Sequence, residues 1–231
     1  MDKKEITDCI AEIVAPGFTE LGFSHKSPNI FQKSSGENIF QYEIGVSRSH
    51  GGYSLHLRLN LLNTMLSKAV NNVMKKVLTD ERMKYPTNWT PKVIADSIKG
   101  RTSGNTVAMQ TDWRIFRNEN ESLEEFKARF SVWFYSFDYL DDLDGWKDQL
   151  IMSVEFAQRW FKLVENSDYL IDNSTYYGLY ILKSKDQMTE LREKYDRTLR
   201  REQSFKKDTT EVELFYEYLT SDVPNTKENN R

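Results

Sequence analysis

The sequence predicts an α+β fold, with an antiparallel sheet of about four or five strands, helices on one face and a helical C-terminal third. Three observations predict it. Residues 40–61 alternate apolar and polar across a turn, residues 6–21 and 65–77 repeat at three and four, and the helical spacing returns after Asp144 and persists.

Each element follows from its own residues. Ile6, Ile10, Ile13, Val14, Phe18 and Leu21 form a helical stripe ended by Gly22, the residue that takes a left-handed cap most readily. Pro16 inside that pattern predicts a kink or a break. A short strand over 29–33 leads through Ser34-Ser35-Gly36-Glu37 into the hairpin. In the hairpin Phe40, Tyr42, Ile44 and Val46 share one face, and so do Tyr53, Leu55, Leu57, Leu59 and Leu61. Ser49-His50-Gly51-Gly52 between them is turn chemistry. Met65 to Val77 reads as a helix, and Val93, Ile94 and Ile98 mark a shorter one between Pro91 and the turn at 103–105. Residues 107–116 read as a strand. Over 122–140 two periods compete; the β-formers Phe130-Ser131-Val132-Trp133-Phe134-Tyr135 favour a strand at 129–137. Asp144 caps a long helix, and helices follow at 174–182, 186–205 and 210–219, the second of these with Met188, Leu191, Tyr195 and Leu199 on one face.

Neither a repeat nor a clean linker interrupts the chain, so the expectation is one domain over 1–220 and a polar, disordered tail over 221–231. At 231 residues, with 39% hydrophobic and 29% charged residues, the chain can bury a substantial core. A single cysteine, Cys9, excludes an internal disulfide framework and every multi-cysteine metal site. The net charge of −3 draws the whole chain neither to nucleic acid nor to an anionic membrane, so any such contact must be local. Met1-Asp2-Lys3-Lys4-Glu5 runs straight into an amphipathic pattern without a secretory core, and no apolar run approaches the roughly 20 residues of a membrane span. The expected setting is cytoplasmic, where the sequons at Asn88, Asn120 and Asn173 carry no weight.

The proline-bearing Ala15-Pro16-Gly17-Phe18, then Leu21-Gly22-Phe23 and the hairpin 38–61, resemble a family of uncharacterised bacterial domains. Gln158-Arg159-Trp160-Phe161-Lys162 ahead of Ser167-Asp168-Tyr169-Leu170 is similar to it as well. The resemblance implies an immunity-type protein encoded beside a toxin, and it carries no catalytic residues.

Chemical signatures are sparse. The sequence holds no GxxxxGK[ST], GxGxxG or GxSxG pattern, and His25, His50 and His56 lack zinc-site spacing. No catalytic residue, cofactor or metal is expected. Glu43 and His56, with Arg58, project from the polar sheet face without a nucleophile beside them, and Cys9 on an apolar stripe reads as a small hydrophobe. Arg101-Thr102-Ser103-Gly104-Asn105 has the make-up of an anion-holding loop, though an ordinary loop has it too.

Residues 119–148 carry nine carboxylates against three cations, with Tyr139, Asp141, Asp142 and Trp146 as an acidic and aromatic surface suited to a basic partner protein. Helix capping and solubility explain the same acids. Residues 183–207 carry nine cations against five acids, with Arg197, Arg200 and Arg201 as the candidate nucleic-acid contact. There Glu190/Lys194 and Glu193/Arg197 have the order of an exposed, ion-paired helix. The leading expectation is a non-enzymatic binding protein, immunity- or antitoxin-like, that docks a partner protein through the acidic surface. The alternative is a nucleic-acid-binding or processing factor using the basic helix or the polar sheet face.

Overall fold

The computed structural model describes residues 3–49, 52–111 and 146–221. The strand expected at 129–137, the Asp144 cap, His50 and the tail beyond 221 lie outside them. Two compact units form, residues 1–63 with 106–166 and residues 64–105 with 167–231. The chain passes between the units after Asn63, after the turn at 103–105 and after Asn166.

The first unit holds an antiparallel sheet in simple meander order: β1 (Ser24–Ser27), β2 (Ile30–Ser35), β3 (Asn38–Ser49), β4 (Gly52–Leu62) and β5 (Thr106–Thr111). Cross-strand pairs Phe40↔Leu61, Tyr42↔Leu59, Ile44↔Leu57 and Val46↔Leu55 align the two apolar sets on one face, and every one of these side chains is buried. A one-residue slip would turn them all to the opposite face, so burial fixes the register.

Two helices cover that face, α1 (Lys3–Glu20) and α4 (Trp146–Glu165). From α1, Phe18 meets Tyr42 at 4.6 Å between ring centroids and Phe31 at 5.1 Å. From α4, Phe161 meets Phe40 at 5.3 Å, and Ser153 shares a 2.7 Å buried hydrogen bond with the Tyr42 hydroxyl. The two helices come close at Gly17, where a Cβ would lie 3.0 Å from Val154. The opposite face carries Gln41, Glu43, Arg58 and Asn60. The α+β fold with a five-stranded antiparallel sheet and a helical C-terminal part is thus as expected.

Local details differ in part. The predicted break at Pro16 does not occur; α1 runs through it. Pro16 is exposed, so the carbonyl it leaves without a helical donor can turn to water. Gly22 does cap the helix, with φ of 78°. Its N–H donates to the Thr19 carbonyl and that of Phe23 to the Phe18 carbonyl, both at 2.9 Å, while the Phe18 and Phe23 rings lie 5.1 Å apart. This is a Schellman ending with its apolar contact.

The second unit is helical: α2 (Thr64–Thr79), α3 (Pro91–Thr102), α5 (Ser167–Asn173), α6 (Thr175–Ser184), α7 (Met188–Ser204) and α8 (Thr210–Ser221). Thr90 caps α3 by accepting from the Val93 N–H at 3.4 Å, with Pro91 in the first turn. Val70, Val77, Leu179, Leu182, Leu191 and Phe215 form the heart of this unit's own core. On α7 the buried set is Leu191, Lys194 and Thr198, while Met188 is 41% exposed. Lys194 is therefore no member of an exposed ion-pair ladder. Its stem lies against Gly178.

Candidate functional site

An open groove of about 1160 Å³ lies on the first unit. It forms where β3 outruns its neighbour. β2 pairs with β3 only as far as Ile30↔Glu43, and the turn at Pro28-Asn29 closes that register with the Ile44 N–H donating to the Asn29 carbonyl at 2.8 Å. β3 then continues to Ser49, held on its other side by β4 down to Ser49↔Gly52.

The groove wraps the projecting edge. On the helical side stand Lys3, Lys4 and Thr7 from the first turns of α1, and on the polar side Glu43, His56 and Arg58. Lys3, Lys4 and Arg58 give three cations against one carboxylate among the lining residues, and they stand beside the positive end of a helix dipole. Lys4 also holds Asp8 at 2.7 Å, one turn on. Arg58 lies 3.7 Å from Glu43, and Asn60 donates to the same carboxylate at 3.4 Å.

These positions decide the acid–base reading of the polar face. Glu43 stands opposite Arg58, and His56 stands opposite Gly45. Glu43 thus has a guanidinium and a side-chain amide beside its carboxylate. His25, on β1, is exposed and stacked on Phe31 at 4.5 Å. Cys9 is half-buried. Among the described residues no group of three or more His, Cys, Asp or Glu side chains is placed to hold a metal ion, and no helix is long and apolar enough to cross a membrane.

Of the acidic and aromatic candidates, Tyr139, Asp141 and Asp142 lie outside the described residues, and Trp146 is the first residue of α4. Arg197, Arg200 and Arg201 are exposed and share one face of α7 by their spacing. Their surroundings are mixed. Arg197 lines a hollow of about 470 Å³ that also presents Asp168, Asp172, Glu190 and Glu193, and Arg201 donates to Glu202 at 2.9 Å. Tyr195 is stacked on Tyr216 at 4.0 Å, which leaves 68%-exposed Phe205 as the exposed ring on that stretch. With Lys185 also lining it, that hollow sets four carboxylates against two cations, a balance that disfavours a phosphate backbone there.

The anion-loop reading of 101–105 changes for a similar reason. Arg101 donates to both oxygens of Glu211, at 2.8 and 2.6 Å, and the Tyr176 hydroxyl donates to the same carboxylate at 2.5 Å. The guanidinium is committed within the helical unit. Burial pushes the Glu211 carboxyl up, but the hydrogen bonds from Arg101 and Tyr176 outweigh it and hold the group below its ordinary 4.5. A depressed carboxyl stabilises the fold above its unfolded value and loses that contribution as pH falls through the folded one. Glu211→Gln should therefore lower stability near neutrality by about 1–2 kcal/mol, a range that allows for the part-exposed arginine. It should also flatten the acid limb of a melting-temperature profile. An unchanged acid limb would contradict the assignment.

A second clamp joins the end of α2 to α8. Arg82 bridges Asp80 and Glu217, each at 2.9 Å, and Tyr218 donates to Asp80 at 2.6 Å. Arg82 first, then Tyr218, hold the Asp80 carboxyl far below the usual range. Both clusters join elements of one unit.

Lys3 and Lys4 are the site residues that sequence reasoning passed over. Their signal is the mismatch between a five-residue strand over 29–33 and a far longer hairpin, which leaves part of β3 beyond the reach of β2 beside the start of the first helix. The chain matches no family model, no curated protein and no solved structure.

Proposed function

We propose that the protein is a non-enzymatic binding protein that takes an anionic partner in the groove beside β3. The observation that carries this is the placement of Lys3, Lys4 and Arg58 around an open groove of about 1160 Å³ on a chain whose net charge is −3. A local cationic site on an acidic protein orients an approaching anion more than it raises non-specific affinity.

The polar groups around the groove support binding rather than turnover. Glu43, the one carboxylate among the groove's lining residues, is engaged by Arg58 and Asn60. Occlusion of a partner, the role of an immunity- or antitoxin-like factor, fits a broad open groove better than it fits a small-molecule pocket. The acidic stretch with Asp141 and Asp142 is then a second contact for the basic part of such a partner.

The test is binding to immobilised poly-glutamate. Lys3→Glu with Lys4→Glu and Arg58→Glu should weaken it by about tenfold or more and reduce its salt dependence. The same variant with Arg197, Arg200 and Arg201 reversed instead should bind as the parent does. Equal retention in the groove variant would reject the reading.

A further inference from the structure

The groove holds more than charge, because its floor is a stretch of β3 that β2 does not reach. In an antiparallel strand the N–H and C=O of one residue point to the same side, and successive residues alternate. The Ile44 N–H faces the β2 side, where it donates to Asn29. Val46 and Arg48 therefore turn their backbone donors and acceptors to that side as well, while Gly45 and Ser47 turn theirs to β4 through Gly45↔His56 and Ser47↔Ser54. Among the described residues no strand pairs with β3 on the β2 side beyond Ile44.

We infer that this edge is a strand-addition site, and that its occupant is an extended acidic peptide segment of a partner protein which pairs with Val46 and Arg48 as an extra strand. The inference rests on the reading of the groove as a partner-binding site and specifies how the partner is held. An exposed edge is a template for pairing with another chain, and strand addition draws affinity from main-chain hydrogen bonds and selectivity from alternate side chains.

The chemistry of the two flanks names the occupant. Side chains of an added strand alternate between the helical flank, with Lys3, Lys4 and Thr7, and the polar flank, with His56, Arg58 and the Arg58-facing Glu43, so that the groove holds three cations against one carboxylate. Cations stand on both flanks, so carboxylates suit either set of side chains. The concavity of about 1160 Å³ gives that strand room. A nucleic acid would find the same cations but could not satisfy a row of alternating amides and carbonyls.

The experiment uses the full chain and a fluorescein-labelled peptide of alternating Glu and Val, about eight residues long so that it spans the edge at about 3.4 Å per residue. Fluorescence anisotropy should show binding, and the Lys/Val counterpart should show none. Two further peptides carry N-methyl groups at alternate amides, one at the glutamates and the other at the valines. One should lose about tenfold or more in affinity while the other binds as the parent peptide does, because only one set of amides can face the edge.

Equal affinity of the two methylated peptides, whether both retained or both lost, would overturn strand addition. Binding of poly-glutamate without binding of the Glu/Val peptide would overturn it too, and would leave the anion-binding groove standing. Failure of both probes would reject the groove as well. Tighter binding of a single-stranded oligonucleotide than of the peptide would overturn the peptide assignment in favour of the phosphate backbone.

Discussion

Phe18→Ala should cost the sheet unit about 3–5 kcal/mol, the range for emptying a buried phenylalanine site. Phe18 is wholly buried and is the hinge of an aromatic cluster, with the rings of Phe23 and Phe31 at 5.1 Å and that of Tyr42 at 4.6 Å. Truncation removes the contact that holds α1 on β3 and the apolar half of the ending at Gly22. The cavity would be lined by rings whose backbones are fixed in a sheet and a capped helix, so little collapse can relieve it. Amide exchange in β3 and β4 should accelerate, and the urea midpoint should fall. Phe18→Leu, which keeps much of the volume, should fall less. A midpoint for Phe18→Ala within error of the parent would mean that α1 does not depend on this cluster.

Unit by unit, the sequence was informative where a pattern is local and silent where the cause is distant. Alternation through Phe40, Tyr42, Ile44 and Val46 and the matching leucines announces both the hairpin and its buried face, because a two-residue period needs nothing beyond the strand itself. The Gly22 ending is visible for the same reason. Of the kink or break that Pro16 announces, the break does not occur, because the cost of the proline depends on which way its side of the helix faces, and burial decides that.

β1 is missed, since Ser24-His25-Lys26-Ser27 has no apolar alternation and is exposed at three of four positions. It exists as a strand through its pairing with β2. Helix α5 is missed because seven residues are too few to display a period. The groove was half visible: Glu43, His56 and Arg58 were legible as one polar face, whereas Lys3 and Lys4 join them only through the packing of α1 on the sheet. Lys194 shows the limit most clearly. Its spacing from Glu190 is that of a surface pair, yet Leu191 and Thr198 turn this side of the helix inward, and the lysine goes with them.

That buried lysine leads to the second large effect. Gly178→Ala should destabilise the helical unit by about 1–3 kcal/mol, the usual cost of overpacking, although the same change inside a helix ordinarily stabilises by roughly 1 kcal/mol. Space decides the sign here, and conformational preference does not. A Cβ at 178 would lie 2.4 Å from the Lys194 Cε and 2.7 Å from the Ile171 carbonyl oxygen. The lysine is the end of a flexible stem, and its burial already pushes the amine down, with Arg197 adding to the effect, so it can swing away. The carbonyl belongs to α5, which Ser174 joins directly to α6, and cannot withdraw without moving that helix.

The double variant Gly178→Ala with Lys194→Ala separates the two obstacles. If the Ile171 carbonyl is the barrier, the double variant melts well below Lys194→Ala alone. If it melts with Lys194→Ala, the lysine stem was the obstacle and the close crossing of α5 and α6 is not what the glycine provides. The first outcome is expected, because a backbone oxygen at 2.7 Å leaves a methyl group no room on a helix whose next turn carries buried Leu179 and Leu182.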